Sequence, residues 1–591
     1  MSYAKTRSRE RKSGFASSRL RVISLLLLAV IAFGGWLYYQ SYKRIDIATY
    51  IPQNSIGFLS VDDWSRLSDE ITRTNAWRDV SSAYGIWNKW NLFGLVARAI
   101  RITGIGTSDL VVFSRAQSAF FVTSLEVNGD TVKPHFAVVV ETHSLPWRLR
   151  SVIKARAPVV AQTVLGKAQE EATSYQGVEI RVFKSVESEA RLFSSQIDGE
   201  WILANHPESM EAAIDTRQGR RTSIINDPDL AHARKTLQDK PVCFGFVSAQ
   251  GVSRLARFAT SMTIKRILGE NVLSENLENV TSELVSRISN GMAYSLKFNE
   301  GMADETWLWM CPPEVAAQLR EGFKPGESES GLLRLIPESA TEVMLAKVDD
   351  TGRALDSLET MISSRVGAAE SFLFHRFLTG ARQSLFGLKD TDRARDIFGN
   401  DAAIVTLGPD PREQIWLLSI ADRTRLDASS EQFLSFGGAS ISRDMRSGYL
   451  MLVSSDDRRG AIGFMDDVAV FGSREGVSRM LDDKTENKPL AATGAFKTSV
   501  RPQRPAALVS YSSSSGDVRR FFETMSQVLP KTGAKKDAED RVKDVPLSAG
   551  ITRLDPEGFV VTVRSPIGSL GSFAGMIDTT RNNRNAEAAR P

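Results

Sequence analysis

Residues suited to chemistry are few in this chain. Five histidines (His135, His143, His206, His232 and His375) and two cysteines (Cys243 and Cys311) stand among 591 residues. His143 and His206 each fall where a strand-like run gives way to a helical pattern, with Glu141 and Glu208 two residues away. An imidazole beside a carboxylate can hold a divalent metal or move a proton. At a strand–helix junction the same residues can also do no more than cap or line a turn. No H-x-x-x-H pair accompanies them, so neither a resident metal nor another cofactor is expected, and the chain reads as a non-enzyme.

Three short patterns imitate other chemistry. S-x-x-K at Ser151–Lys154, S-x-N at Ser274–Asn276 and K-T-G at Lys531–Gly533 follow the order used by serine acyl-enzymes. That chemistry needs K-T-G on a strand flanking the pocket, yet LPKTGAKKDAEDRVKD is a charged stretch without strand alternation. LPKTG also matches a cell-wall sorting signal, but the 58 residues after it contain no hydrophobic span. GIGTSD at 104–109 lacks the third glycine of a dinucleotide loop. A hydrolase using His143 or His206 with neighbouring carboxylates is the least favoured reading.

The cysteines lie in the strand-like runs PVCFGFV and TWLWMC. A Cys243–Cys311 disulfide is a candidate if the chain reaches an oxidising compartment, with two buried thiols as the alternative.

Charge distribution argues for that compartment. Residues 1–21 carry seven cations and one anion, +6 of the chain's net +4, so the remainder sums to −2. A nucleic-acid partner is therefore not expected, since binding needs basic charge on the folded part. Val22 to Tyr39, VISLLLLAVIAFGGWLYY, is uncharged and just long enough to span a bilayer. Cations before it and aromatic residues at its far end predict a single-pass signal anchor, with the N-terminus in the cytoplasm and the rest translocated.

The elements that must position these residues recur. IPQNSIGFLSVDDWSRL from Ile51 is echoed by IPESATEVMLAKVDDTGRAL from Ile336, about 285 residues later. IDGEWILANHPESMEAAID (197–215) pairs with FMDDVAVFGSREGVSRMLDD (464–483), PVCFGFVSAQGVSRLARF with PAALVSYSSSSGDVRRFFETM, and LKFNEGMADETWLWM with TRLDPEGFVVTV. Preserved order predicts a tandem duplication. Within each copy a strand, a polar turn and a helix repeat; Asp62 and Asp63 are N-cap candidates, and Trp64, Leu67 and Ile71 share one helical face. Hairpin signals between these units predict α+β domains with mostly antiparallel or mixed sheets rather than a doubly wound nucleotide fold. The expected organisation is a basic tail (1–21), a transmembrane helix (22–40), a stalk (41–49), a first domain (50–318), a linker (319–334), a second domain (335–576) and a disordered tail (577–591). NLFGLVARAIRI (91–102) and WRLRSVIK (147–154) read as surface helices, with lipid headgroup contact as an alternative; SFLFHRFLTGARQSLFGL (371–388) reads as core or an apolar groove.

The I-P opening with its V-D-D strand end, Thr74–Trp77, PHFAVVVETHS, Tyr175–Ile180 and ILANHPESMEAAID together resemble a family of uncharacterised bacterial envelope proteins. The resemblance implies one N-terminal membrane helix and a large extracytoplasmic domain of unknown function, and it brings no site residues. The resulting expectation is a membrane-anchored interaction or scaffold protein of the bacterial cytoplasmic membrane, its ectodomain in the periplasm and bound to an envelope protein. Carriage of a lipid or other apolar ligand is the alternative.

Overall fold

The first strand and the helix after it show how local sequence sets the fold. β1 (Gly57–Val61) ends at Asp62, and Asp63 takes extended backbone at the N-cap of helix Trp64–Thr72. Its carboxylate accepts hydrogen bonds from the Ser65 and Arg66 amides at 2.8 and 3.1 Å, satisfying donors that a helix start leaves open. Leu67 and Ile71 are buried as the periodicity predicts. Trp64 is not: it stays 40% exposed, because its indole N–H donates to Ser118 Oγ at the sheet surface instead.

This is a computed structural model, and it describes residues 45–84, 86, 116–128, 131–142, 146–237, 240–268, 281–325, 330–365 and 396–570, except 409, 436–437, 458, 487, 499–505 and 529–536. The basic tail, the anticipated membrane helix, the 577–591 tail, His143, Ser274–Asn276, Lys531–Gly533 and the segments 91–102 and 371–388 lie outside the described residues. Among the described residues no helix is long and apolar enough to cross a membrane.

Mixed helix and antiparallel sheet make up the fold. The first half supplies β1, β2 (Gln117–Asn128), β3 (Thr131–Glu141), β4 (Ala168–Tyr175), β5 (Val178–Ser185), β6 (Arg191–Ile197), β7 (Glu200–Ala204), β8 (Cys243–Ser248), β9 (Gly291–Asn299) and β10 (Met302–Met310). The second supplies β11 (Glu342–Lys347), β12 (Phe398–Thr406), β13 (Gln414–Ile420), β14 (Ile441–Arg446), β15 (Tyr449–Ser454), β16 (Ala461–Met465), β17 (Val468–Gly472), β18 (Leu508–Ser512), β19 (Ser548–Asp555) and β20 (Gly558–Ser565). Every pairing is antiparallel. The first ten strands run 4-5-6-7-3-2-1-8-9-10 across the sheet. The second ten run 14-15-16-17-13-12-11-18-19-20, the same order displaced by ten. Hairpin turns match as well: Gln176 and Ser447, and Asp198 and Asp466, carry positive φ at corresponding bends.

Sequence periodicity suggests two separable domains, but the halves share one twenty-stranded sheet. β10 pairs with β20 from Ala303↔Ser565 to Met310↔Gly558, so the last strand of each half is the other's neighbour. From Ile47 onward the chain forms one compact unit. Among the described strands, β4 and β14 end the ladder.

Successive side chains alternate between the two faces. One face buries Phe58, Phe121, Val139 and Ile202 under helix Pro207–Arg217, and Val343, Val405, Leu417 and Val470 under helix Arg474–Glu486. On the other face, helix Pro146–Leu165 covers Phe183, Leu192 and Trp201, and helix Arg423–Leu434 covers Leu452, Ile462 and Phe464. Ser151 and Lys154 lie on the exposed side of the first of these helices. Between the halves the helices exchange partners. Trp77 and Tyr84 of the first half pack on Phe522 of helix Ser515–Val528, at ring separations of 5.7 Å each. Helix Pro313–Gly322 meets helix Thr351–Ser363 closely enough that a Cβ on Gly322 would stand 2.3 Å from Ser357 Cβ.

Phe522 is fully buried between the halves. Phe522→Ala should cost about 3–5 kcal/mol and should lower one cooperative unfolding transition followed by circular dichroism. Two resolved transitions, only one of them shifted, would show that the halves fold independently.

Candidate functional site

The candidate residues fall into separate places. Glu141 ends β3 opposite Glu200 at the start of β7, whereas His206 lies beyond the other end of β7. The ladder from Glu141 to Ala137 and on to His135 spans six residues, about 20 Å of strand, so Glu141 and His206 do not share a site.

Around His206 the chain builds a compact cluster. β2 carries a bulge between Val122 and Ser124, after which Ser124 lies opposite His135 of β3. The extra residue, Thr123, bonds the His135 carbonyl at 3.2 Å and Ser209 Oγ at 2.7 Å. Asn205 clamps the strand on both sides of His135: its Oδ1 accepts from the Phe136 amide and its Nδ2 donates to the Pro134 carbonyl, each at 2.8 Å. His206 follows directly as the N-cap of helix Pro207–Arg217, in extended backbone, and its side chain makes no capping hydrogen bond. The imidazole turns to His135 instead. The two rings stack at 3.8 Å between centroids and 5° between planes.

His135 is tethered and His206 is not. Ser124 Oγ lies 3.0 Å from His135 Nδ1, and Glu126 lies 3.5 Å from His135 Nε2. His206 Nδ1 is buried and has no hydrogen-bond partner. Burial, then the neighbouring His135, holds the His206 imidazole below its usual range. Glu208, in the first helical turn, completes a set of His135, His206 and Glu208 whose ligand atoms all lie within 4.8 Å of one another. Such a nitrogen–nitrogen–oxygen set suits a divalent transition metal.

The second half departs from this at corresponding positions. Ladder register puts Glu413 where His135 stands, and the helix starts align Ser473 with His206 and Glu475 with Glu208. Ser473 Oγ bonds the Gly476 amide at 3.0 Å in an ordinary cap, and Glu413 pairs with Arg479 at 2.6 Å.

A second polar cluster surrounds the other end of β7. Glu141 and Glu200 are both buried and directly opposite each other. Gln117 Nε2 donates to Glu141, while the Tyr50 hydroxyl bonds Glu200 and accepts from Arg217 Nε at 3.1 Å. Burial pushes the Glu200 carboxyl up, outweighing the hydrogen bond from Tyr50 and the Arg217 charge; Asp198 and Glu141 push in the same direction. Burial likewise drives the Tyr50 phenol far above its ordinary value. Corresponding positions in the second half hold Leu335, Ser419 and Val468.

The cysteines do not meet. Both are free and buried. The ladder lines Cys243 up with Leu296 and then Glu305, two strands away, while Cys311 lies six residues beyond Glu305. That separation, about 20 Å along the sheet, is far beyond disulfide reach. Burial pushes the Cys243 thiol up to about 12 and the Cys311 thiol up to about 11.

Comparison with known proteins adds a coarse assignment. Residues 150–286 match a family described as a protein of unknown function (DUF3352). The match takes in His206 and Glu208 but begins after His135. Neither the curated proteins nor the solved structures gave a match.

Two expectations follow. A carboxyl whose folded pKa is raised contributes stability that is present below the unfolded value and is lost as pH rises through the folded one. Glu200→Gln should therefore melt above the parent at pH 8, and the gap should close as pH falls toward about 4.5; a variant whose deficit instead grows as pH rises would show a net favourable ion pair. Without reductant, the native chain should leave a thiol reagent unreacted and the denatured chain should react at both cysteines. No reaction after denaturation would restore the disulfide.

Proposed function

We propose that this chain is an N-terminally anchored protein of the bacterial cell envelope, without catalytic activity, whose internally duplicated extracytoplasmic part binds another envelope protein. The anchor and its orientation rest on the basic tail and the apolar run from Val22 to Tyr39. Duplication into two related halves is supported by the repeated strand order and by the recurrence of sequence in the same order.

One observation carries the binding reading. A ladder row of Leu59, Phe120 and Val138 crosses β1, β2 and β3. The corresponding row of Met344, Ile404 and Trp416 crosses β11, β12 and β13. Phe120 is 40% exposed, and Met344 and Trp416 are each 44% exposed. Large apolar side chains left accessible in the same ladder row of both halves, at Phe120 in one and at Met344 and Trp416 in the other, favour an apolar protein surface as the partner. An acyl chain laid along the row is the competing occupant.

A photo-crosslinking residue placed at Phe120 or at Trp416 in the full-length chain should capture the same envelope protein in native membranes, whereas one at exposed Val186 should not. Phe120→Glu and Trp416→Glu should each weaken that capture about tenfold or more with little change in melting temperature. Equal capture from all three positions would remove the reading. A lipid mass retained by the parent in native mass spectrometry, and lost in both variants, would replace the protein partner with an apolar ligand.

A further inference from the structure

We infer that His135, His206 and Glu208 form a binding site for one divalent transition-metal ion of the zinc class, present in the first half of the chain and missing from the second. The side-chain placement carries the inference. Three ligand types that suit such an ion converge from β3, from the strand–helix junction and from the first helical turn, with their ligand atoms within 4.8 Å of one another.

The surroundings resemble a supported site. Ser124 Oγ lies 3.0 Å from His135 Nδ1; in the tautomer that donates Nδ1–H to this oxygen the ring is fixed and Nε2 keeps its lone pair for a metal, which is the outer contact that metal-bound imidazoles regularly make. Glu126 lies 3.5 Å from that same Nε2, close enough to give a fourth, oxygen ligand. Asn205 and the bulge at Thr123 hold the backbone on either side of His135, so the ligand strand is set before any ion arrives.

One movement is required. Tetrahedral ligand atoms about 2.0–2.1 Å from an ion stand about 3.3 Å apart, and parallel rings 3.8 Å apart cannot both direct a lone pair at one point. His206 is the ring able to turn, because its Nδ1 has no hydrogen bond to lose and its side chain does not cap the helix. Rotation of that ring would exchange stacking for coordination and would satisfy a buried nitrogen. The corresponding described positions of the second half make no such site, since Ser473 caps its helix and Glu413 is occupied by Arg479.

The test uses untagged full-length chain in detergent and Co2+ alone as the probe, with equilibrium dialysis for stoichiometry and visible absorption for coordination. One Co2+ per chain is expected, displaced by Zn2+. His135→Ala and His206→Ala should each lower affinity more than about tenfold, and Ser124→Ala by about tenfold. Glu208→Gln should weaken binding, whereas Glu475→Gln, its counterpart in the second half, should not. Melting curves of the metal-free variants identify any that fail to fold; for those, His206→Asn replaces the alanine variant, and Zn2+ should raise the melting temperature of the parent alone. Absence of saturable binding at one per chain, or equal affinity in the folded His135 and His206 variants, would overturn the site.

Discussion

The ladder between β10 and β20 is the constraint on which the rest depends. An antiparallel strand at the end of a sheet leaves a row of backbone donors and acceptors open, and such an edge invites uncontrolled pairing. In each half the tenth strand would be that edge. Pairing Ala303–Met310 with Gly558–Ser565 satisfies both at once. It also brings the helices of each half over the other, so that Trp77, Tyr84 and Phe522 share one core. A buried carboxylate strengthens the seam: Glu305 of β10 accepts from Tyr294 and from both the amide and hydroxyl of Ser569, beyond β20.

Local elements were legible in the sequence because they depend on local chemistry. Asp63 caps the helix it was expected to cap, helix Pro146–Leu165 begins at its proline, and the Gly and Asp turns close the anticipated hairpins. What links the halves was not legible. Period-two alternation tells which residues face inward but not which strand lies alongside, and nothing within β10 names β20 as its neighbour. Trp64 fits the helical face by spacing alone, but a hydrogen bond from its indole to Ser118 keeps it at the surface. The two cysteines stand in strand-like runs, and only the register reveals how far apart those positions are.

The polar clusters were half legible. His206 and Glu208 stood out because a histidine precedes a proline-initiated helix. Their partner His135 is 71 residues earlier in the chain, and a bulge together with the Asn205 clamp brings it alongside. No spacing rule encodes that, although the Asn-His pair at the end of a strand is a local hint. Glu200, Tyr50 and Arg217 left no mark, since each is unremarkable until the sheet buries it. Their counterparts Leu335 and Val468 are ordinary core residues. The halves thus agree in backbone and differ in buried polarity, which concentrates chemical potential in the first.

With the tenth strands joined, twenty strands leave just two borders, β4 and β14. Both are strongly solvated along most of their length. β4 carries Glu170 and Glu171, engaged by Arg181 and Lys184 of its neighbour, and β14 carries Arg443, Asp444 and Arg446. A sheet this wide is a natural template for fibre growth, and crowded copies would meet border to border. Acidic residues at one rim and mixed charges at the other, already committed to partners within the same chain, make that encounter costly in desolvation. Solubility of the whole assembly is thereby vested in a few rim residues rather than in the broad apolar interior they enclose.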